Sequence, residues 1–130
     1  MRTNSDITVY NKSLSGWQRT IIYDVAWEQR HARSQFDSDD LATVYIPIAR
    51  GADYLKPRAW QELVNIYINT EKWTLQVGDI IVKGAITNNL AGSYTLTSLK
   101  AAYDDVLMIT AIDTYDYGSA SLQHWRVGAK

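Results

Sequence analysis

The stretch Lys72–Gly84, KWTLQVGDIIVKG, decides the predicted fold class. Apolar residues alternate with polar ones from Trp73 to Val77, and a second apolar run follows the Gly78-Asp79 pair. Alternation with a period of two is typical of a strand with one buried face, and glycine supplies the positive φ that a tight hairpin turn requires. The stretch therefore predicts a strand, a tight turn and a second strand, which together form a scaffold hairpin.

The composition is that of a soluble globular protein. The chain has 130 residues, of which 46% are hydrophobic and 21% are charged, so we expect a single domain over residues 1–130. Nine tyrosines and five tryptophans stand against one phenylalanine. Because these two side chains combine a large apolar body with a polar group, they suit half-buried and interface positions.

Charge and cysteine content exclude several classes of function. The formal net charge of −1 gives no field that would attract nucleic acid or an anionic membrane. The absence of cysteine excludes a disulfide scaffold, a thiolate nucleophile and Cys-based zinc sites, and it favours folding in a reducing cytosol. The polar start MRTNSDITVY is unlike a signal peptide, and no apolar run approaches the ~20 residues that span a bilayer.

The first third of the chain contains two predicted strands. Ile7, Val9 and Tyr10 mark the first, and Trp17–Trp27 marks a longer second strand. Its odd-numbered residues form one predicted face and its even-numbered residues form the other. From Glu28 to Asp40 the periodicity is lost and the charge rises, which indicates a first long loop.

The middle of the chain contains a third strand and a helix. Ala42–Ile48 is predicted as a strand, and Pro47, which lacks an amide donor, predicts an edge position or the end of that strand. Lys56–Leu63 is predicted as a helix with Pro57 in its permissive first turn.

The last third begins with a second loop, Ala85–Tyr94, which is rich in Asn, Gly and Ser. Leu96, Leu99 and Tyr103 have short-helix spacing, with Thr95 or Thr97 as the N-cap. Two strands follow at residues 106–112 and 122–127. In total, we predict a mainly β fold, a small barrel or sandwich of six or seven antiparallel strands with one or two short helices.

The sequence offers little equipment for catalysis. His31 and His124 are far apart in the sequence and fit no metal-binding or triad spacing. The acidic run 37–40 lacks the glycine and the closing glutamate of a calcium loop. Asp104 and Asp105 are adjacent residues at a strand entry, which a turn explains. We therefore expect no enzymatic activity, no cofactor and no metal, and we interpret the two polar loops as contact-making segments.

Four segments, in order, resemble a family of small structural proteins of tailed phages and prophages of Gram-positive bacteria. They are NSDITVYNK, VYIPIARGADYLKPRAWQEL, KWTLQVGDIIVKG and KAAYDDVLMITAIDTYDYGSASLQHWRVGAK, which together span nearly the whole chain. The order of strands, the "GDII" segment and the late strand that ends beside "HW" are also similar to head-completion (stopper) proteins of long-tailed phages.

The resemblance implies a location and partners rather than active residues. Stopper proteins are small β-barrels that form a ring in the phage neck, retain the packaged DNA and dock the tail. The resemblance thus implies a homo-oligomeric ring, a hexamer or a dodecamer, that contacts the adaptor or portal and the tail-completion proteins in the virion. Channel DNA would lie close to this ring without being read for its sequence.

Two sets of residues are candidates for these contacts. The interface candidates share an aromatic or polar character near the C-terminus: Tyr115, Tyr117, His124, Trp125 and Arg126. The candidates for a loop that faces the channel are polar residues of the two long loops: Arg30, Arg33, Asp37, Asp39, Asp40, Asn88 and Asn89. Two alternatives stay open, a tail-completion or tail-terminator protein, and a small phage-encoded binder or inhibitor of a host protein.

Overall fold

Six antiparallel strands close into a barrel in the computed structural model, which describes residues 3–13, 16–29, 42–64 and 72–130. The strands are β1 (Ser5–Ser13), β2 (Gly16–Gln29), β3 (Ala42–Pro47), β4 (Ile80–Lys83), β5 (Val106–Tyr115) and β6 (His124–Ala129). They follow the order β1-β2-β3-β6-β5-β4 around the barrel. Two helices, α1 (Pro57–Val64) and α2 (Leu96–Ala102), complete the fold together with short 3₁₀ turns at Ile48–Arg50 and Ala120–Leu122. The predicted mainly β class with two short helices is confirmed.

The barrel interior is one continuous apolar cluster. Its members are side chains that point inward from the strands, together with Trp73 and Leu75 from the segment before β4. Burial of such a cluster is the dominant favourable term in folding. The cluster consists of Ile7, Val9, Ile22, Val25, Trp27, Ala42, Val44, Ile46, Trp73, Leu75, Ile81, Ile109, Trp125, Val127 and Ala129.

A second apolar cluster lies on the outer side of β1 and β4. Ile80 and Val82 belong to it, whereas Ile81 between them belongs to the barrel interior. The segment of residues 86–99, which includes the start of α2, covers this outer side with Leu90 and Leu99. Because β4 is buried on both faces, its sequence is a continuous apolar run rather than an alternating one.

The predicted hairpin within Lys72–Gly84 is wrong in its first half. Only Ile80–Lys83 is a strand, and it pairs with β1 and β5 rather than with the residues that precede it. The earlier half forms a single parallel bridge between Trp73 and Tyr54. The predicted turn glycine is confirmed, since Gly78 has a φ of 96°.

The first half of the stretch is held at the end of the barrel by a buried amide. Asn11 donates to the Thr74 carbonyl oxygen at 2.8 Å and accepts from the Thr74 N–H at 3.1 Å. It also donates to the Asp79 carboxylate at 2.8 Å. A side chain thus supplies the backbone partners that a second strand would otherwise give to this segment.

A β-bulge interrupts the pairing of β1 with β2. Ser5 pairs with Val25 and Ile7 pairs with Ile22, so one residue of β1 stands opposite two residues of β2. Asp24 occupies the bulge with a φ of 58°, a conformation that Asp tolerates better than most residues.

This bulge makes the prediction of two regular faces on the second strand wrong. Before the bulge, the even-numbered Ile22 points inward, and after it the odd-numbered Trp27 does so. Trp17, which was assigned to the same row as Trp27, packs against the cluster outside the barrel. One extra residue therefore reverses the phase of the alternation.

The remaining predicted elements agree with the structure, with small differences at their ends. α1 begins at Pro57, and Thr95 caps α2 by accepting from the Ser98 N–H. β3 ends at Pro47 as predicted, but it is no edge strand, since it pairs with both β2 and β6. β5 continues to Tyr115, three residues beyond its predicted end.

Replacing Asn11 with Leu tests the amide that holds the barrel end. The change keeps the branched shape and the number of side-chain heavy atoms but leaves the Thr74 backbone and the Asp79 carboxylate without a partner that they have in the wild type. Because each unsatisfied buried polar group costs roughly 1–3 kcal/mol, we expect the free energy of unfolding to fall by about 3 kcal/mol in urea denaturation. The control Thr3→Leu alters an exposed polar side chain and should change stability by less than about 0.5 kcal/mol. Equal losses in both variants would contradict this role of Asn11.

Candidate interaction surface

The outer face of β3, β6 and β5 carries a line of aromatic side chains. Because Trp125 and Val127 of β6 point inward, His124 and Arg126 point outward. In the strand register, Tyr45 of β3 lies opposite Arg126, and Tyr115 of β5 lies opposite His124. The closed sheet thus brings residues from three separate parts of the sequence onto one face.

Neighbouring rings along this line contact one another. The His124 ring stacks on Tyr115 with a centroid distance of 4.9 Å and meets Tyr45 edge-on at 5.7 Å. Tyr115 in turn lies 6.1 Å from Tyr117 in an edge-on arrangement. Such geometries are favourable for aromatic pairs. We call Tyr45, His124, Tyr115 and Tyr117 the aromatic strip.

Arg126 lies beside the strip and is oriented by its tyrosines. A side-chain hydrogen bond to Tyr115 is the main cause of the raised pKa of Arg126, and Tyr45 adds to it. The guanidinium is a fixed positive charge beside the strip, because arginine stays protonated at physiological pH. Tyrosine and arginine are the residue types that are most enriched at energetically important positions of protein interfaces.

One end of the strip projects into solvent. Tyr117 is 70% exposed, and Leu122 in the same connection between β5 and β6 is 61% exposed. Exposed large apolar side chains next to stacked rings form a surface whose burial against a partner is energetically favourable.

Trp125 is the interface candidate that does not lie on this surface. Its side chain is buried in the barrel, 4.4 Å from the Tyr54 ring and 5.8 Å from the Trp73 ring between centroids. A Cβ atom at Gly51 would lie only 2.5 Å from the Trp125 ring, so this glycine permits the close approach. Trp125 therefore packs inside the barrel and does not share the outer face with the other interface candidates.

Asn88 and Asn89, the loop candidates that the structure describes, are fastened to the barrel. Asn88 accepts hydrogen bonds from the Tyr10 hydroxyl at its carbonyl oxygen and from the Tyr103 hydroxyl at its side chain, both at 2.7 Å. Asn89 accepts from the Arg19 guanidinium at 2.9 Å. Desolvation by burial raises the pKa of Tyr10 to about 12, so its hydroxyl keeps its proton. These contacts assign a structural role to residues 85–90.

The other loop candidates lie outside the described residues. They are Arg30, Arg33, Asp37, Asp39 and Asp40, together with His31. Of the predicted loop Glu28–Asp40, the structure describes the first two residues, and both belong to β2.

Asp79 is the one buried carboxylate among the described residues. Desolvation raises its pKa, and hydrogen bonds from Asn11, Gln76 and the Lys12 N–H oppose that rise. Three donors therefore occupy this carboxylate, which makes it part of the barrel closure rather than a free general acid.

A metal or catalytic centre is not apparent in the described part of the chain. Within it, no group of three His, Asp or Glu side chains is placed to hold a metal ion. Asp104 is exposed, whereas Asp105 accepts a hydrogen bond from Gln29 at 3.2 Å. His124 belongs to the aromatic strip, where tyrosine rings flank it on both sides.

A comparison with known protein families places the sequence. The model of a family of unknown function, DUF6751, matches residues 2–130. The chain belongs to this family. No similar protein was found among the curated proteins, and none was found among the solved structures. In this DUF6751 chain, none of the described helices has the length and apolar character that crossing a bilayer requires.

Sequence reasoning missed Tyr45 as a member of the strip. In the strand ATVYIP, Tyr45 lies between Val44 and Ile46, so the alternation predicts that its side chain points to the opposite face, away from the barrel interior. β3 pairs with β6, although the paired residues Pro47 and His124 are 77 residues apart in the sequence. No local sequence pattern specifies such a long-range pairing.

Replacing Tyr10 with Phe tests the fastening of the Ala85–Leu90 segment to the barrel. The change removes the hydroxyl that donates to Asn88 while keeping the buried ring. We expect a loss of about 1 kcal/mol in the free energy of unfolding, the usual net value of one hydrogen bond, and faster amide exchange in residues 86–90. The control Tyr23→Phe removes an exposed hydroxyl and should change neither quantity. Unaltered exchange in Tyr10→Phe would show that this bond does not hold the segment.

Proposed function

We propose that this chain is a structural virion protein, a head-tail connector of the stopper type that acts by forming a ring and docking neighbouring proteins. The observation that carries the proposal is the aromatic strip on an otherwise tightly packed barrel. The sequence resemblance to head-completion proteins supports the same role, and it adds the neck of the particle as the location.

The fold favours contacts through side-chain faces. Barrel closure pairs most of the strand edges, so contacts with a partner would use mainly the outer faces of the strands, such as that of β3, β6 and β5. Stacked rings that are already ordered lose little side-chain entropy when a partner covers them. The aromatic strip therefore meets the requirements of an interface centre, and Arg126 beside it supplies polar specificity.

A ring requires two different contact surfaces on each subunit. Head-to-tail contacts close into a ring when the rotation between subunits divides a full turn. On a six-stranded barrel, β6 and β1 are three strands apart, so a partner surface near β1 lies on the opposite side from the strip. This side carries Trp17 and Tyr94 around a cleft of about 430 Å³.

The charge of the chain suits a ring around DNA. A net charge of −1 gives no strong attraction to phosphates, so packaged DNA is retained by a physical barrier and remains able to move during ejection. Sequence recognition of DNA plays no part in such a role.

Disruption of the gene in the phage that carries it tests the proposal. Electron microscopy of the lysate should show emptied, tailless heads beside free tails, because a missing stopper leaves the channel open. DNA-filled heads beside free tails would contradict the stopper role and assign the chain to tail completion. Normal infectious particles would overturn the virion role and favour a host target.

Complementation of this disrupted phage tests the aromatic strip itself. A chain with Tyr117→Ser and Arg126→Ala should fold but fail to restore infectious particles, since each removed interface anchor costs about 2 kcal/mol per contact. The control Tyr23→Ser removes a tyrosine of similar exposure, 57%, from β2 and should restore them. Full restoration by the strip variant would show that the strip is not the contact surface.

A further inference from the structure

Strand β5 continues well beyond the strand that pairs with it on one side. β4 pairs with Val106, Leu107 and Met108 only, whereas β6 pairs with β5 as far as Tyr115. The turn before β4 adds one more step, because Gly78 donates to the Ile109 carbonyl oxygen and Ile109 donates to the Asp79 carbonyl oxygen, both at 2.8 Å. Among the described residues, no strand lies beside residues 111–115 on the side away from β6.

The pairing pattern identifies the backbone groups that face this side. Met108 exchanges hydrogen bonds with Lys130, so Met108 directs its backbone groups toward β6 and Ile109 directs its own away. After the bulge between Ile109 and Ala111, alternation continues with Asp113 and Tyr115 toward β6. The N–H and C=O groups of Ile112 and Thr114 therefore point away from β6.

The same two residues line a cleft. Ile112 and Thr114 share a cavity of about 650 Å³ with an apolar floor formed by Tyr54, Leu75 and Trp125. Lys56 and Asp116 lie at its rim with opposite charges. A strand edge and an apolar cavity thus occur side by side.

We propose that an extended segment of a partner protein adds to β5 as a further strand along Ile112–Thr114 and inserts a bulky apolar side chain into this cleft. Two peptide groups that repeat at about 7 Å match the repeat of an extended chain. A small molecule or a helix lacks the alternating donors and acceptors that such an edge requires. In strand addition, main-chain hydrogen bonds supply affinity and a pocket for alternate side chains supplies specificity. The inference goes beyond the proposed virion role and does not depend on it.

A designed peptide serves as the probe. Acetyl-TFTVT-amide has apolar side chains at alternate positions, so one can enter the cleft while the backbone pairs with β5. Titration of the ¹⁵N-labelled protein should shift the amide signals of Ile112 and Thr114 and the indole signal of Trp125. Hydrogen exchange at the Ile112 and Thr114 amides should slow at least tenfold at saturation with the peptide.

The variant Thr114→Pro removes the edge N–H and leaves the hydrogen bonds between β5 and β6 in place, because that N–H points away from β6. Its affinity for the peptide should fall at least tenfold, whereas Thr114→Val, which keeps the N–H and changes only the side chain in the cleft, should bind at least tenfold more tightly than Thr114→Pro. If Thr114→Pro fails to fold, a peptide that is N-methylated on the residues that pair with β5 should lose affinity for the wild-type protein to the same extent.

Four outcomes would overturn the inference. Equal binding to the Pro and Val variants would show that the cleft takes a side chain without strand addition. No shifts at Ile112 and Thr114, or amides there that exchange slowly without peptide, would show that the edge is not available. Protection that rises with protein concentration alone would show that a second copy of the chain is the occupant.

Discussion

The buried side chain of Asn11 is the interaction on which the rest of the structure depends. β4 has only four residues, so the strands alone leave one end of the barrel open. The Asn11 amide joins β1 to Thr74 and Asp79, and in this way it positions the segment that carries Trp73 and Leu75 into the apolar interior. A fully bonded buried amide specifies one arrangement, because every alternative leaves polar groups without partners.

Closure at this end also organises both surfaces that we propose as contact sites. Trp73 packs on Trp125 and so holds the Trp125 side chain inside the barrel. Because side chains alternate along β6, His124 and Arg126 then point outward. The same closing segment ends at Asp79, beside Ile109, where the partner strand of β5 stops. The aromatic strip and the β5 edge are thus two consequences of how the barrel is completed. A rigid support holds both, which lowers the entropy lost on binding.

The sequence predicted the fold class, both helices and most of the strands, because period-two alternation, Pro57 and Thr95 act locally. The sequence-based prediction failed where one extra residue reverses the inward and outward alternation along the rest of a strand. The bulge at Asp24 reverses the inward face of β2, and no residue type in IIYDVAW requires a bulge there. It also failed where pairing is long-range: Asn11 replaces a strand partner for Thr74 across 63 positions, and Tyr45 meets His124 only after β3 pairs with β6. Tyr115, Tyr117, His124 and Arg126 were predicted as interface candidates from their aromatic or polar character and from the ring that the resemblance implies. The structure places them on one outer face, whereas the Trp125 side chain points into the barrel.

A cryo-electron-microscopy reconstruction of the neck in purified particles of the phage that we propose encodes this chain tests the central claim most directly. The account predicts a ring of six-stranded barrels in which Tyr115 and Tyr117 of each subunit lie within about 4 Å of a neighbouring chain. A neck whose density is fully explained by other proteins would contradict the account. So would a ring in which the aromatic strip faces solvent on every subunit.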